Sequence, residues 1–220
     1  MDFAFIGVAW TARWAILSGL GISVLVSAMA IVAGSFVGVF VGLGLTFGAR
    51  PVRWVARLYT DFVRGTPVLV LVLSSYYILG TVGVHLDALQ AGVLALAVFC
   101  SSHIGEIVRG ALQAIPRGQT EAAKATGLTF SQTFIYVLMP QAARQALPSC
   151  VNVAAEIVKA STLLSIIGVG ELLLTTQQII ARSFMGLPFY LFAGFLYFLI
   201  NFGIERLGKY VERRLAISAS

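Results

Sequence analysis

The chain has 220 residues, of which 59% are hydrophobic and 11% charged, and its formal net charge is +6 at pH 7. An average soluble domain has about 25% charged residues, so this composition argues against a water-soluble core and for a membrane protein. The basic residues stand in short groups between long apolar runs. A nucleic-acid-binding protein needs them on one water-facing surface, so no nucleic-acid partner is expected.

The first apolar run lies between Arg13 and Arg50, which enclose no ionisable side chain. A helix needs roughly 20 apolar residues to cross the hydrocarbon core, so this run alone predicts a membrane span. The segment before it has no basic cluster, and the run is too long for a signal-peptide core, which indicates a retained anchor. Small residues at every fourth position predict close packing against another helix, namely Ala30, Gly34, Gly38 and Gly42.

An arginine-rich amphipathic helix is predicted from Arg50 to Arg64, where apolar residues recur at helical spacing and the arginines occupy other faces. A helix of this kind lies at the membrane–water interface. The Gly65-Thr66-Pro67 sequence that follows is typical of a hinge, because glycine permits a bend and proline suits the first turn of the next helix.

Five membrane-spanning helices are predicted in one all-α transmembrane domain covering residues 1–220, at about 17–47, 66–82, 88–112, 143–165 and 187–208. Lysine and arginine concentrate after the first, third and fifth spans and are sparse in the other connections. Because cytoplasmic loops carry the excess of basic residues, the N-terminus is expected outside and the C-terminus in the cytoplasm.

The connection of residues 115–140 is too polar to cross a membrane. It is also long for a helix–helix connection, and such length usually carries function. The Glu121–Thr126 segment is rich in helix formers, Gly127 provides a C-terminal stop, and Pro140 can open the next helix. A short surface helix, a turn and a second helix are therefore expected.

This connection resembles the signature of binding-protein-dependent permeases, which is Glu-Ala-Ala, three residues, glycine, nine residues and an apolar triplet ending in proline. Here the signature reads Glu121-Ala122-Ala123, Gly127 and Val137-Leu138-Met139-Pro140.

The resemblance extends over about 160 residues from Tyr59 onward, which are similar to the polar amino-acid branch of this family. The chain departs from the branch at His103, where an aromatic residue is usual, and at Ala160-Ser161-Thr162, where Asp-Thr-Ser is usual. Both departures bear on the substrate, not on the class.

The resemblance implies a division of labour between subunits. This chain is then expected to be the permease of an ATP-driven importer for polar amino acids in a bacterial inner membrane. Its Glu121–Gly127 segment would be a coupling helix, docked on a separate subunit that binds ATP and magnesium. The sequence lacks a GxxxxGK[ST] phosphate-binding motif, so no cofactor is expected on this chain. An identical or related permease chain, an external solute-binding protein and membrane lipid are the other expected partners.

Polar residues within the spans are the candidates for a substrate path, because an intramembrane charge is costly unless it is paired or faces water. They are His103 and Glu106 on span three, and Asn152, Glu156 and Lys159 on span four. Structural roles are the alternatives. Glu156 and Lys159 could form an ion pair that locks the helix, Arg109 could neutralise Glu106, and His103 could be a hydrogen-bonded packing residue.

Catalytic and metal sites are not indicated by any spacing in the sequence, and Cys100 and Cys150 are expected to be small buried hydrophobes. An ion-gradient-driven carrier or channel protomer is the alternative function, although its usual mark, an internal repeat, is not found. A membrane scaffold without transport would leave the intramembrane charges without a role.

Overall fold

The computed structural model describes residues 3–217, with side chains from residue 5 to residue 214. Every regular element in that part of the chain is helical. In chain order, we label the helices α1 Phe3–Thr11, α2 Arg13–Phe47, α3 Arg50–Gly65, α4 Val68–Thr81, α5 Ala88–Gln113, α6 Arg117–Ala125, α7 Phe130–Ile167, α8 Leu172–Ser183 and α9 Gly186–Ile217.

Four of the described helices, α2, α5, α7 and α9, are each long and apolar enough to cross a membrane. Helices α3 and α4 make a fifth span if they are taken as one element bent by 107°. The bend falls at Thr66, which is extended with φ −97° and ψ 131°. The following Pro67 disfavours a helical conformation for the residue before it, so the hinge lies where the sequence predicts one.

The helix boundaries differ from the predicted spans mainly in span four. This span was expected to begin near residue 143, but α7 is continuous from Phe130. Pro140 lies in the first turn of the regular α-helical segment Met139–Ala160, as predicted, but this segment follows directly on a π-helical turn over Phe134–Leu138, where Met139 N–H donates to the carbonyl of Phe134. The wider turn lets the helix pass a residue that has no N–H to donate.

Helices α2 and α5 run parallel and form the closest packing in the bundle. A Cβ atom placed on Gly34 would lie 2.7 Å from the carbonyl oxygen of Ala97, and one on Gly38 would lie 2.8 Å from that of Ser101. Lipid tails are as apolar as leucine, so helix association in a membrane depends on such close contact and not on the hydrophobic effect. The small residues predicted to form a packing stripe do so.

Three buried clusters hold the helices together. The central cluster joins α2, α4, α5 and α7 through Val26, Val72, Leu96, Ile157 and Leu164. A second cluster, at the end of the bundle that carries α6, consists of Ala111, Leu112, Leu138, Ala142 and Ala146. The third, at the opposite end beside α8, consists of Ile16, Leu172, Phe189 and Ala193. Ile107, Val108 and Cys150 pack against both the central cluster and the one beside α6, so that end of the bundle is continuous with the centre.

Candidate functional site

Helix α6 carries the Glu-Ala-Ala part of the signature and ends at Gly127. This glycine has φ +81°, and its N–H donates to the carbonyl of Lys124 at 3.0 Å. The next N–H, of Leu128, donates to the carbonyl of Ala123 at 3.1 Å. These two bonds close the helix with a left-handed residue, a conformation that costs about 1–2 kcal/mol for a side chain with a Cβ. The spacing of the signature thus reflects the length of one helix plus its terminating turn.

One face of α6 packs against the bundle and the other is open. Ala123 is buried, whereas Glu121, Ala122 and Lys124 are exposed. Pro140, the last residue of the signature, is exposed on α7. Beside α6 lies a cavity of about 440 Å³, formed where α2, α5 and α7 end and lined by Thr46, Gln113, Arg117, Thr120 and Leu138 among others. The surface helix therefore packs against the first turns of α7 and shares this cavity with the ends of α2 and α5.

Helix α7 carries the predicted polar stripe on an exposed face. Asn152, Glu156 and Lys159 are all exposed in the single chain. No ion pair joins Glu156 to Lys159 in the part of the chain that the structure describes. Asn152 lines a cavity of about 290 Å³ between α7 and α9, together with Glu205, Lys209 and Glu212. The alternative in which an ion pair between Glu156 and Lys159 locks the helix is therefore not the arrangement found in this structure.

Glu106 on α5 is held by arginines. The Nε and Nη2 atoms of Arg109 donate to its Oε2 at 3.0 and 2.6 Å, and Nη1 of Arg64 lies 3.9 Å from the same oxygen. The second carboxylate oxygen, Oε1, is buried and has no hydrogen-bond partner among the described residues. The neutralisation of Glu106 by Arg109 is therefore present, and it leaves one buried acceptor unused.

His103 lies one turn before Glu106 on the same helix and is half-buried. Its Nδ1 is 3.0 Å from the carbonyl oxygen of Phe99, which requires the proton on Nδ1 because a carbonyl only accepts. Its ring packs on that of Phe99, with 4.3 Å between the ring centroids. The packing role is present, and among the described residues the hydrogen bonds of His103 involve Nδ1 and not Nε2.

Glu171 is a buried acid that the sequence analysis does not single out. It is 0% exposed and lies before the first turn of α8, where its carboxylate accepts the N–H groups of Leu173 and Leu174 at 2.9 and 2.8 Å. The hydroxyls of Tyr197 on α9 and Ser23 on α2 also donate to it, at 2.5 and 3.4 Å. In the sequence, the signal for this residue is a charged side chain that follows two closely spaced glycines and directly precedes an apolar helix.

This network positions α8, which the sequence analysis treated as part of an outward connection. Through Glu171 the helix is tied to two spanning helices at once. Burial raises the pKa of Glu171 above its ordinary value, and the hydrogen bonds from Tyr197, Leu173 and Leu174 oppose that rise.

A partial phosphate-binding pattern occurs at Gly203 to Lys209, where GxxxxGK is followed by Tyr210. These residues lie within α9. Amides inside a helix are already hydrogen-bonded and cannot form the open loop that binds a phosphate.

Comparison with protein families gives one match that covers most of the chain. A model described as "Binding-protein-dependent transport system inner membrane component" matches residues 34–217. Among similar proteins, the probable amino-acid ABC transporter permease protein YckA of Bacillus subtilis (strain 168) is 33% identical over 185 residues, 84% of this chain and 82% of YckA. The L-cystine transport system permease protein TcyB of the same organism is 32% identical over 204 residues, 92% of this chain and 87% of TcyB.

The fold is also similar to that of a solved structure described as "Crystal structure of an amino acid ABC transporter with histidines". The TM-score is 0.88 with 32% identity, and the similarity covers 97% of this chain and 99% of the other.

Proposed function

Because the chain belongs to the family of binding-protein-dependent transport system inner membrane components, we propose that it carries polar amino acids across the membrane. It is the transmembrane permease of an ABC importer. The observation that carries the proposed substrate class is the TM-score of 0.88, at 32% identity, with a transporter of amino acids over nearly the whole of both chains. The two relatives described above are both named for amino acids, YckA for the class and TcyB for L-cystine.

We place the contact with the ATP-binding subunit on the exposed face of α6. ATP and magnesium bind to that partner. Glu121 and Ala122 are free to meet a partner surface, while buried Ala123 holds the helix to the bundle. Helix α7 follows α6 after a short turn and continues without a break to Ile167. A displacement of α6 would therefore be transmitted along α7 to the opposite end of the molecule.

The substrate path in this proposal follows the polar face of α7. Exposed Asn152, Glu156 and Lys159 would be costly against lipid, so a water-filled path or a second permease chain is the better surrounding. An amino acid presents an ammonium group and a carboxylate. Glu156 is suited to the first, and Asn152 and Lys159 to the second. His103 Nε2 and the free Oε1 of Glu106 supply further polar atoms on α5.

The complete transporter in this proposal contains two permease chains, identical or related, two ATP-binding subunits and an external solute-binding protein. The chain is a multi-pass protein of the bacterial inner membrane, with its N-terminus outside and α6 in the cytoplasm. The grouping of the basic residues supports this orientation.

The test is reconstitution of the chain with its cognate ATP-binding subunit and binding protein in liposomes. ATP hydrolysis should rise when glutamine, arginine, histidine or cystine is added with the binding protein, and uptake of the active amino acid should require ATP inside. Uptake driven by a sodium or proton gradient without ATP would instead identify the gradient-driven carrier. ATP-dependent uptake of a solute that is not an amino acid would overturn the substrate class alone.

A further inference from the structure

The hollow of about 290 Å³ between α7 and α9 lies near the end of the bundle that carries α6. Its lining consists of Pro148, Val151 and Asn152 on α7, and of Glu205, Lys209 and Glu212 on α9. The two helices are in close contact beside it, because a Cβ atom placed on Gly208 would lie 2.6 Å from a methyl carbon of Val151. The hollow is therefore a groove between two packed helices, with charged groups from one helix and an amide from the other.

The charged side chains of the hollow share one face of α9. Glu205, Lys209 and Glu212 fall within about 60° of one another at 3.6 residues per turn. Lysine and glutamate three or four residues apart can form ion pairs along a helix. In the described part of the chain, however, none of these three side chains takes part in an ion pair. Two carboxylates and one ammonium group are therefore available to a ligand.

The arginines around the hollow do not line it. Arg206 and Arg213 lie on the adjoining face of α9, and the guanidinium carbon of Arg206 is 4.9 Å from the ring centroid of Phe202. Arg144 precedes Pro148 by one turn of α7 and is half-buried. Basic residues are expected where a span enters the cytoplasm. That rule gives no reason for two carboxylates in a groove between helices, so the carboxylates need a different explanation.

Asn152 joins the hollow to the proposed substrate path. It lines the hollow, and it also belongs to the exposed polar stripe of α7 with Glu156 and Lys159, each about one helical turn further on. One polar surface thus runs along α7 and continues onto α9. The volume of the hollow is just below the ~300–1,000 Å³ of sites for drug-sized ligands, which suits a molecule as small as one amino acid.

Resting on the proposed function, we propose that this hollow is the inner end of the substrate path and holds the transported amino acid before it enters the cytoplasm. Glu205 and Glu212 bind its ammonium group. Lys209 and the Nδ2 group of Asn152 bind its carboxylate. Because both signs of charge line one groove, the site favours a zwitterion over a simple anion or cation. The site belongs to the permease itself, so it binds the amino acid without the external binding protein.

The test measures equilibrium binding of a radiolabelled amino acid to a detergent-solubilised complex of the full-length chain with its ATP-binding subunits. The external binding protein is left out. The probe is whichever of glutamine, arginine, histidine and cystine the uptake assay identifies. Glu205→Gln/Glu212→Gln and Lys209→Met should each raise the dissociation constant about 10-fold, which is the low end of the effect of one hydrogen bond to a charged group.

Two derivatives of the probe, measured by competition, show which of its groups meets which side chain. The amide derivative lacks the carboxylate, so Lys209→Met should leave its affinity unchanged. The N-acetyl derivative lacks the ammonium group, so Glu205→Gln/Glu212→Gln should leave its affinity unchanged. A side chain that only stabilises the helix pair would weaken the binding of the amino acid and of its derivatives alike.

Two matched controls remove a charge outside the hollow. Asp61→Asn removes an exposed carboxylate of α3, and Arg214→Gln removes an exposed cation from the opposite face of α9. Both should bind the amino acid as the wild type does.

Wild-type affinity in the Glu205, Glu212 and Lys209 variants, or equal losses for the amino acid and both derivatives, would overturn this inference and leave the importer unaffected. So would losses of the same size in the two control variants, or a transporter that takes up the amino acid while its complex binds none without the binding protein. Failure to take up any amino acid with ATP would overturn the proposed function and this inference together.

Discussion

At the scale of single residues, the proposed substrate path depends on the exposed face of α7. Glu156 has no ion pair with Lys159 among the described residues and is exposed on the chain. An unpaired carboxylate within a spanning helix is stable only if water, a substrate or a partner chain surrounds it. The polar stripe is therefore better explained by contact with a path than by a lock within one helix.

We expect Glu156→Gln to raise the half-saturating amino-acid concentration about 10-fold or more, or to stop uptake, because a hydrogen bond to a charged group contributes about 1.5–3 kcal/mol. The subunits should still assemble, and basal ATP hydrolysis should persist. Uptake kinetics measure the half-saturating concentration, and size-exclusion chromatography checks that the subunits still assemble. Full transport by a Glu156→Gln/Lys159→Met variant would show that the two residues serve only each other.

Glu171 acts through hydrogen bonds to four partners, so its removal should loosen α8. Glu171→Ala leaves two N–H groups of α8 without their cap, and we expect a loss of about 1–3 kcal/mol of unfolding free energy, seen as a lower Tm in detergent. Glu171→Gln keeps an acceptor of the same length and should lose less. An unchanged Tm in the alanine variant would contradict this role.

The raised pKa of Glu171 also sets the direction in which the stability of the protein changes with pH. Because burial raises the pKa of Glu171 in the folded state, the folded protein binds the proton more tightly than the unfolded chain. The stability that Glu171 contributes is complete below the ordinary carboxyl pKa and falls as pH rises through the raised value. The difference in Tm between wild type and Glu171→Gln should shrink or reverse over that interval.

At the scale of elements, the contact of α2 with α5 depends on the absence of side chains. We expect Gly38→Leu to separate the two helices, since its Cβ would meet the Ser101 carbonyl at 2.8 Å, and to cost about 1–3 kcal/mol through overpacking. Thermal unfolding in detergent measures the effect. Gly21→Leu is the matched control on the same helix, because nothing lies within 4 Å of its Cβ. Equal Tm values for the two variants would contradict the close packing.

Helix α6 is the other element whose surface can be tested by itself. Glu121→Lys should leave membrane insertion intact but abolish amino-acid uptake and co-purification of the ATP-binding subunit, because the reversed charge would repel the docking surface. Ser131→Lys, exposed at the start of α7, adds a lysine at the same end of the bundle, at one of the nine unspecified positions of the signature, and should be tolerated. Normal uptake by Glu121→Lys would contradict the proposal that the exposed face of α6 docks on the ATP-binding subunit.

At the scale of the whole molecule, the grouping of basic residues predicts an orientation that labelling can test. In a variant with Cys100 and Cys150 replaced by alanine, a membrane-impermeant maleimide should label His85→Cys from outside and Gly118→Cys only from the cytoplasm. Both positions are exposed. His85 suits this purpose better than nearby Gly83, which has φ +86°, where a cysteine would be strained. The opposite accessibility would overturn the orientation.

The sequence by itself determined the features that depend on local pattern. Apolar runs of sufficient length located the spans, because only a helix satisfies its own backbone within a membrane. Thr66-Pro67 located the bend, and Gly127 located the end of α6, because proline and glycine restrict or release the backbone wherever they stand. The permease family could also be identified from the sequence, because the signature is carried by consecutive residues.

Only the tertiary structure decided the features that join distant parts of the chain. Ser23, Glu171 and Tyr197 are far apart in sequence and meet because α2, α8 and α9 pack at one end of the bundle. The same holds for Arg64, whose approach to Glu106 depends on how α3 lies across α5. Pro140 marked the start of a regular α-helical segment, yet a π-helical turn joins that segment to the preceding residues in one continuous α7. A periodic pattern shows which face of a helix is apolar, whereas the partner of a polar group is set by the helix that packs beside it.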